Sequence, residues 1–147
     1  TTPYNSTTNI KIAVTPATPD NLYVLVGGGS TFAARVEAST DGGATWTFRG
    51  SAFDNGQFGY NLYLFVHPTD PNTIYVGTRD LWRSTDGGAT FTNITNNFSI
   101  SGAYNPGVSR AHPDQHHFYI SESNPNVIYL ANDGGFYKST DGANTFE

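Results

Sequence analysis

Ser39-Thr40-Asp41-Gly42-Gly43-Ala44-Thr45-Trp46 returns as Ser84-Thr85-Asp86-Gly87-Gly88-Ala89-Thr90-Phe91 and again, more loosely, as Ser139-Thr140-Asp141-Gly142-Ala143-Asn144-Thr145-Phe146. The three aspartates are 45 and 55 residues apart. A second element stands upstream of each octet: Pro19-Asp20-Asn21-Leu22-Tyr23-Val24, Pro71-Asn72-Thr73-Ile74-Tyr75-Val76 and Pro125-Asn126-Val127-Ile128-Tyr129-Leu130. Each is a turn running into an apolar strand with Tyr at one fixed position. Two signals kept in register over three copies make an internal repeat.

The octet reads as a hairpin device. The Asp carboxylate accepts N–H groups of the turn while Gly takes a positive φ without a Cβ clash. Ser and Thr hydroxyls close the turn further. The aromatic in the eighth position returns on the following strand, where it covers the hairpin and packs toward the next unit. Ser39, Asp41, Gly43 and Trp46, Ser84, Asp86, Gly88 and Phe91, and Ser139, Asp141 and Phe146 therefore hold turns rather than perform chemistry.

Working outward, each period divides into four short strands. First strands are expected at 10–14, 60–66 and 118–121, and second strands at the Tyr-containing runs. Third strands are expected at 35–39, 81–84 and 135–139, and fourth strands after the Asp-Gly turn, as at 45–49 and 90–95. Four strands in roughly 40 to 50 residues is one blade of a β-propeller. The expected organisation is a single all-β propeller segment, 1–147, with blades at 9–50, 59–96 and 117–147 and with 1–8 available as a closing strand.

Composition agrees. The 147 residues include 16 Gly, 8 Pro and 14% aromatics, with no Cys and no Met. That favours strands and turns over a helical bundle or a doubly wound α/β fold. Hydrophobic residues make up 37% and charged residues 13%, a globular balance, and no apolar run reaches the ~18 residues of a spanning helix, so no membrane insertion is expected. Without Cys there are no disulfides, thiolate metal sites or Cys nucleophiles. A net charge of −5, with seven scattered basic residues, argues against a nucleic-acid partner. A start at Thr1 rather than Met makes a processed product or an excised piece the expectation.

The octet resembles the Asp-box, or bacterial neuraminidase repeat, Ser-x-Asp-x-Gly-x-Thr-Trp. The first two copies match it apart from Phe91 in place of Trp; the third has Ala143 at the Gly position and Phe146 at the Trp position. The resemblance spans nearly the whole chain and is similar to sialidases, sortilin-type receptor propellers, family 74 xyloglucanases and secreted bacterial repeat proteins. It implies a secreted or cell-surface β-propeller whose boxes sit on peripheral turns away from any active site, with no cofactor. Propellers typically have four to eight blades, so three leave an open arc. Blades of a longer chain or another copy of the same chain would complete the ring; the first is preferred, since propeller chains usually carry all their blades.

Turns between first and second strands and between third and fourth strands lie on one side of a propeller, and the remaining connections on the other. The long, dissimilar stretches 27–34, 50–59, 78–80, 96–117 and 131–134 fall on the second side, where a binding or catalytic surface is expected. Arg79, Tyr104, His116 and His117 are its binding candidates. Phe53, Phe58, Tyr60, Tyr104 and Phe118 could stack on sugar rings or fill the inter-blade core. A glycoside hydrolase needs two carboxylates, and Asp80, Asp114 and Asp133 are the catalytic candidates on this side. Asp80 and Asp133 occupy equivalent turns and have a purely structural reading as well. In an extended strand His112, Asp114 and His116 would point one way and could hold a divalent metal; hydrogen-bonded loop ties are preferred, and no metal is assigned. Phe48-Arg49-Gly50 does not supply the sialidase arginine motif, and Asp41-Gly42-Gly43 has too few carboxylates for an EF-hand-type loop. Asn5, Asn93 and Asn97 match the glycosylation sequon, which Thr- and Asn-rich sequences produce by chance.

The leading expectation is a rigid module presenting its variable loops to a glycan or an extracellular protein. The alternative is part of a family 74-like hydrolase of β-glucan or xyloglucan, with one catalytic acid supplied from elsewhere. A third is a subunit of an extracellular oligomer or filament.

Overall fold

The computed structural model describes residues 9–27, 34–51, 53, 57–97 and 110–147. Among them the strands are β1 (Asn9–Thr15), β2 (Thr18–Gly27), β3 (Arg35–Ser39), β4 (Thr47–Ser51), β5 (Tyr63–Val66), β6 (Ile74–Gly77), β7 (Leu81–Ser84), β8 (Thr92–Asn93), β9 (Gln115–Ile120), β10 (Ile128–Asn132) and β11 (Gly135–Ser139), and no helix forms. They pair in sequence order as antiparallel sheets β1-β2-β3-β4, β5-β6-β7-β8 and β9-β10-β11. In the third sheet Lys138 and Glu147 exchange both backbone hydrogen bonds at 2.9 Å. Glu147 thus stands where Thr47 faces Ala38 and Thr92 faces Arg83, the first residue of a fourth strand. The chain is an all-β propeller arc.

Two first strands differ from the sequence expectation. β5 starts at Tyr63 because Gln57 O accepts the N–H groups of Tyr60 and Asn61 at 2.6 and 3.1 Å, which folds 57–61 into a turn. β9 starts earlier, at Gln115, where a register shift between Ala131 and Asn132 leaves His116 as the extra residue of a bulge. The proposed closing strand 1–8 lies outside the described residues.

Alternation along the strands gives every blade two apolar faces. Between the first and second blades, Tyr23, Leu25 and Val36 pack on Leu64, Val66, Val76 and Trp82. Between the second and third, Tyr75 and Leu81, with Phe65, pack on Phe118, Ile120 and Leu130. Leu25, Ile74, Ile128 and Leu130 are fully buried, each worth about 1.5–3 kcal/mol by transfer from water. Hydrophobic burial between blades, rather than within them, thus holds the arc together.

The octets repeat one bond set three times. Ser39 Oγ donates to Asp41 Oδ1 at 2.7 Å and accepts from Gly43 N at 2.9 Å, while the Asp41 carboxylate accepts Thr45 N at 2.8 Å and Thr45 Oγ1 at 2.5 Å. The Ser84 and Ser139 copies match these within 0.2 Å. These bonds, led by the Thr hydroxyl, hold Asp41, Asp86 and Asp141 at a pKa of about 2. The octet is also tied to the other repeated element, since the N–H of Gly42, Gly87 and Gly142 donates to the carbonyl of Asp20, Asn72 and Asn126. That bond is why the two motifs recur in register. The preceding blade contributes as well: Arg49 donates to the carbonyls of Asp86 and Gly87, and Arg83 to that of Gly142.

Candidate functional site

At the end of the arc opposite the octets, the segment before β5, the segment leading into β9 and the β10–β11 hairpin converge where the second and third blades meet. The hairpin comes first. Asn132 Oδ1 accepts the N–H of Gly134 at 3.0 Å, and Asn132 Nδ2 reaches across to the His112 carbonyl at 2.8 Å. A Cβ at Gly134 would lie 2.3 Å from that of His112, so only glycine lets the hairpin settle on this loop. Pinned at both sides, the turn holds Asp133 outward.

There the Asp133 carboxylate accepts His116 Nε2 at 2.5 Å and the Tyr60 hydroxyl at 3.1 Å. The Tyr60 and His116 rings meet edge to face with centroids 4.9 Å apart. The hydrogen bond from His116 holds the Asp133 carboxyl below the usual carboxylate range, against a smaller desolvation effect, with help from the Tyr60 hydroxyl and the charges of His116 and His112. The same contact raises the Tyr60 phenol, chiefly through its hydrogen bond to Asp133 and the charge of that carboxylate. The result is an exposed, ionised carboxylate held by an imidazole and a phenol, a group able to accept a proton from a bound water or hydroxyl.

Asp114 lies beside it. Its φ is +64°, its carboxylate accepts Asn61 Nδ2 at 2.6 Å, and its carbonyl accepts the Asp133 N–H at 3.3 Å. The left-handed backbone at Asp114 and the bulge at His116 break the extended alternation expected of His112, Asp114 and His116. The three do not converge: His112 Nδ1 faces the Pro113 carbonyl at 3.0 Å, and His116 faces Asp133. Among the described residues no group of three His, Asp or Glu side chains is placed to hold a metal ion.

Asp80, in the equivalent turn of the second blade, is turned inward and fully buried. Asn93 Nδ2 donates to its Oδ2 at 2.7 Å; Thr95 Oγ1 and Asn97 N donate to its Oδ1 at 2.7 and 2.8 Å. The geometry matches the structural reading of Asp80 and keeps it from the surface. The same bonds occupy the amide of half-buried Asn93, Asn97 is fully buried, and Asn5 lies outside the described residues. Arg79 contributes its carbonyl, which accepts Asp114 N at 2.9 Å and Gln115 Nε2 at 3.2 Å. His117 points away from His116, onto the open face of the third blade with Tyr119, Tyr129 and Phe136. Phe53 and Phe118 are core residues and Phe58 packs against the first core, which leaves Tyr60 as the exposed ring at the site. Tyr104 lies outside the described residues.

Sequence reasoning passed over Asn61, Asn132 and Gln115, which position the cluster. Asn61 and Gln115 are fully buried. None of the three belongs to the repeated motifs, so the periodicity that exposed the octets carried no signal for them.

No family model matches the chain. Over 78 residues, 48% of its length, it is 41% identical to a xyloglucanase of Hypocrea jecorina, of which this covers 9%. Over 134 residues, 84% of its length, it is 33% identical to a probable oligoxyloglucan-reducing end-specific xyloglucanase of Neosartorya fischeri, of which this covers 16%. The chain thus spans less than a fifth of the curated relatives it matches. Among solved structures, a GH74 xyloglucanase from Xanthomonas campestris superposes over 93% of this chain and 22% of its own, with a TM-score of 0.69 at 24% identity. A GH74 enzyme of Niastella koreensis does so over the same shares, with a TM-score of 0.65 at 27% identity. The arc described above is therefore propeller-like in a way that is related to the xyloglucanases.

Proposed function

We propose that this chain is part of the propeller of a family 74-like glycoside hydrolase that acts outside the cell on the β-glucan backbone of xyloglucan, and that Asp133 is one of its two working carboxylates. The single observation that carries the reading is the state of Asp133: exposed, ionised, and held by His116 and Tyr60 at the end opposite the repeated turns. A carboxylate kept ionised suits the base or nucleophile of glycoside hydrolysis, not the acid. The relationship to xyloglucanases supplies the substrate class. The octets are read as Asp-boxes, with blades at 9–50, 59–96 and 117–147. Asp114, half-buried and tied to Asn61, is the remaining carboxylate candidate among the described residues of this site, and a partner acid from another part of the propeller is the other source.

The test is release of reducing ends from xyloglucan and from unbranched β-glucan by the protein and its Asp133→Asn variant. Hydrolysis that falls by about 10³-fold or more in Asp133→Asn while Tm is unchanged supports the proposal. The module reading, in which the same loops bind glycan without cleaving it, is favoured by the shortage of a second exposed carboxylate. It predicts retention of the chain in xyloglucan-containing gels with no turnover by either form.

A further inference from the structure

Gln115 is fully buried where the second and third blades meet, one residue before His116. Its backbone N–H donates to the Thr78 carbonyl at 2.9 Å, and its side-chain amide donates to two more, Arg79 O at 3.2 Å and His112 O at 2.8 Å. Thr78 and Arg79 belong to the β6–β7 turn, which the sealed carboxylate of Asp80 ties to Asn93, Thr95 and Asn97. His112 lies in the segment that leads into β9. The Gln115 side chain thus bolts that segment to a fixed turn of the neighbouring blade.

As a source of stability the amide is redundant. Arg79 O also accepts Asp114 N at 2.9 Å, and His112 O also accepts Asn132 Nδ2 at 2.8 Å, so both carbonyls keep a donor without it. Its own Oε1 is buried with no partner among the described residues, a cost that an apolar side chain of similar length avoids. What Gln115 adds is the link between the two carbonyls, one in each blade. The link sits where the backbone is least regular: Asp114 is left-handed at φ +64°, and His116 is the extra residue of the bulge. A bulge re-aims the side chain it carries. With two irregular residues in three, the strand ladder alone does little to fix where the imidazole points.

We propose that Gln115 is a positioning residue for Asp133: by locking the Arg79 and His112 carbonyls together, it sets the bulge so that the His116 imidazole lies on the Asp133 carboxylate. The role rests on the reading of Asp133 as a working carboxylate. The titratable groups facing Asp133 are His116 and His112 from this segment and Tyr60 from the segment before β5, with Asp114 facing Tyr60 in turn. Gln115 acts through His116, which makes the largest contribution among them. The joint between two blades thereby controls the state of a carboxylate at the surface.

The test is an NMR titration of the Asp133 carboxyl in Gln115→Met, in His116→Ala and in the double variant, with urea unfolding and reducing-end release from xyloglucan measured alongside. Gln115→Met is expected to unfold cooperatively, since it orphans no carbonyl, and to raise the Asp133 pKa in the same direction as His116→Ala and no further. In the double variant Asp133 should titrate where His116→Ala alone puts it, because no imidazole is left to aim. The acid limb of hydrolysis should move up with the titration. An unchanged Asp133 titration in folded Gln115→Met overturns the proposal, as do shifts that add in the double variant. A Gln115→Met protein that no longer unfolds cooperatively overturns it too, because the amide would then be holding the fold. If the wild type hydrolyses nothing while these shifts appear, the reading of Asp133 as catalytic fails and Gln115 stands as the positioner of an ionised carboxylate.

Discussion

Asp80 and Asp133 stand in the same turn of neighbouring blades, and the fold uses them in opposite ways. Asp80 is sealed inside, its carboxylate accepting from Asn93, Thr95 and the backbone of Asn97. Asp133 is held outside by two side chains from the loops of the second and third blades, Tyr60 and His116. The turn itself does not decide the difference; the donors brought alongside it do. In the second blade, the end of β8 and the segment after it bend back and deliver three donors to the turn. In the third blade the nearest groups are the imidazole and phenol of an open surface. The positions equivalent to Asn93, Thr95 and Asn97 fall past Glu147, so the contrast is between a turn with its fourth-strand donors and a turn with Tyr60 and His116.

The largest expected effect breaks this pair apart. Asp80→Ala removes a buried acceptor and strands three donors, and should lower unfolding free energy by about 3–5 kcal/mol. Asp133→Ala should leave the urea midpoint where it is. Equal losses from the two substitutions would mean that Asp133 is as structural as Asp80.

A smaller effect comes from the octet end, where every copy needs a left-handed residue in its fifth position. Gly43 and Gly88 have φ of +92° and +87°, while the third copy places Ala143 at +67°. At Gly88 an added Cβ would come within 3.3 Å of Val36 and 3.4 Å of Arg49 and Ile74. Gly88→Ala should therefore cost about 1–2 kcal/mol. The reverse exchange, Ala143→Gly, relieves the backbone but gives up a buried methyl worth ~0.8 kcal/mol, so a net change within about 0.5 kcal/mol is expected. Denaturant curves of the two variants side by side would show whether backbone strain or packing governs the octet.

The octet aspartates also set a pH dependence. Their folded pKa of about 2 lies below the unfolded value of about 3.9. The stability they contribute is thus complete above about pH 5 and is lost as pH falls toward 2. The unfolding midpoint should be flat from neutral pH down to about 5 and then decline. In a variant with Asp41→Asn, Asp86→Asn and Asp141→Asn together, the midpoint should start lower and decline less. An unchanged acid limb in the triple variant would assign acid unfolding to other groups.

The architecture was legible because its punctuation repeats. All three third strands begin and end where the sequence placed them, each closed by an octet serine whose hydroxyl binds the turn. First strands have no such marker, and β5 and β9 began three residues away from their expected positions: Gln57 O captures two N–H groups before β5, and Asp114 turns left-handed before β9. At the site the sequence supplied the candidates without ranking them. Asp80 is buried by residues 13 to 17 positions downstream, and Asp133 is held by Tyr60, 73 positions upstream. Contacts of that range follow from which blades become neighbours and in what register, which no local pattern of Asp, Asn and Gly encodes.

The smallest effect sharpens the comparison at its exposed member. If hydrogen bonds from His116 and Tyr60 keep Asp133 ionised, removing either should raise its pKa while the fold is untouched. His116 is the larger cause, so His116→Ala should move the Asp133 carboxyl further up than Tyr60→Phe, which deletes one hydroxyl and keeps the ring against His116. Carbon-detected NMR titration of the Asp side chains reads both shifts directly. Because the folded value lies below the ordinary one, each variant should lose ionised Asp133 at a higher pH than the wild type, and any hydrolysis that depends on it should shift its acid limb in the same order. A titration in which Tyr60→Phe moves Asp133 as far as His116→Ala would make the phenol the dominant partner and leave the imidazole as packing for the ring.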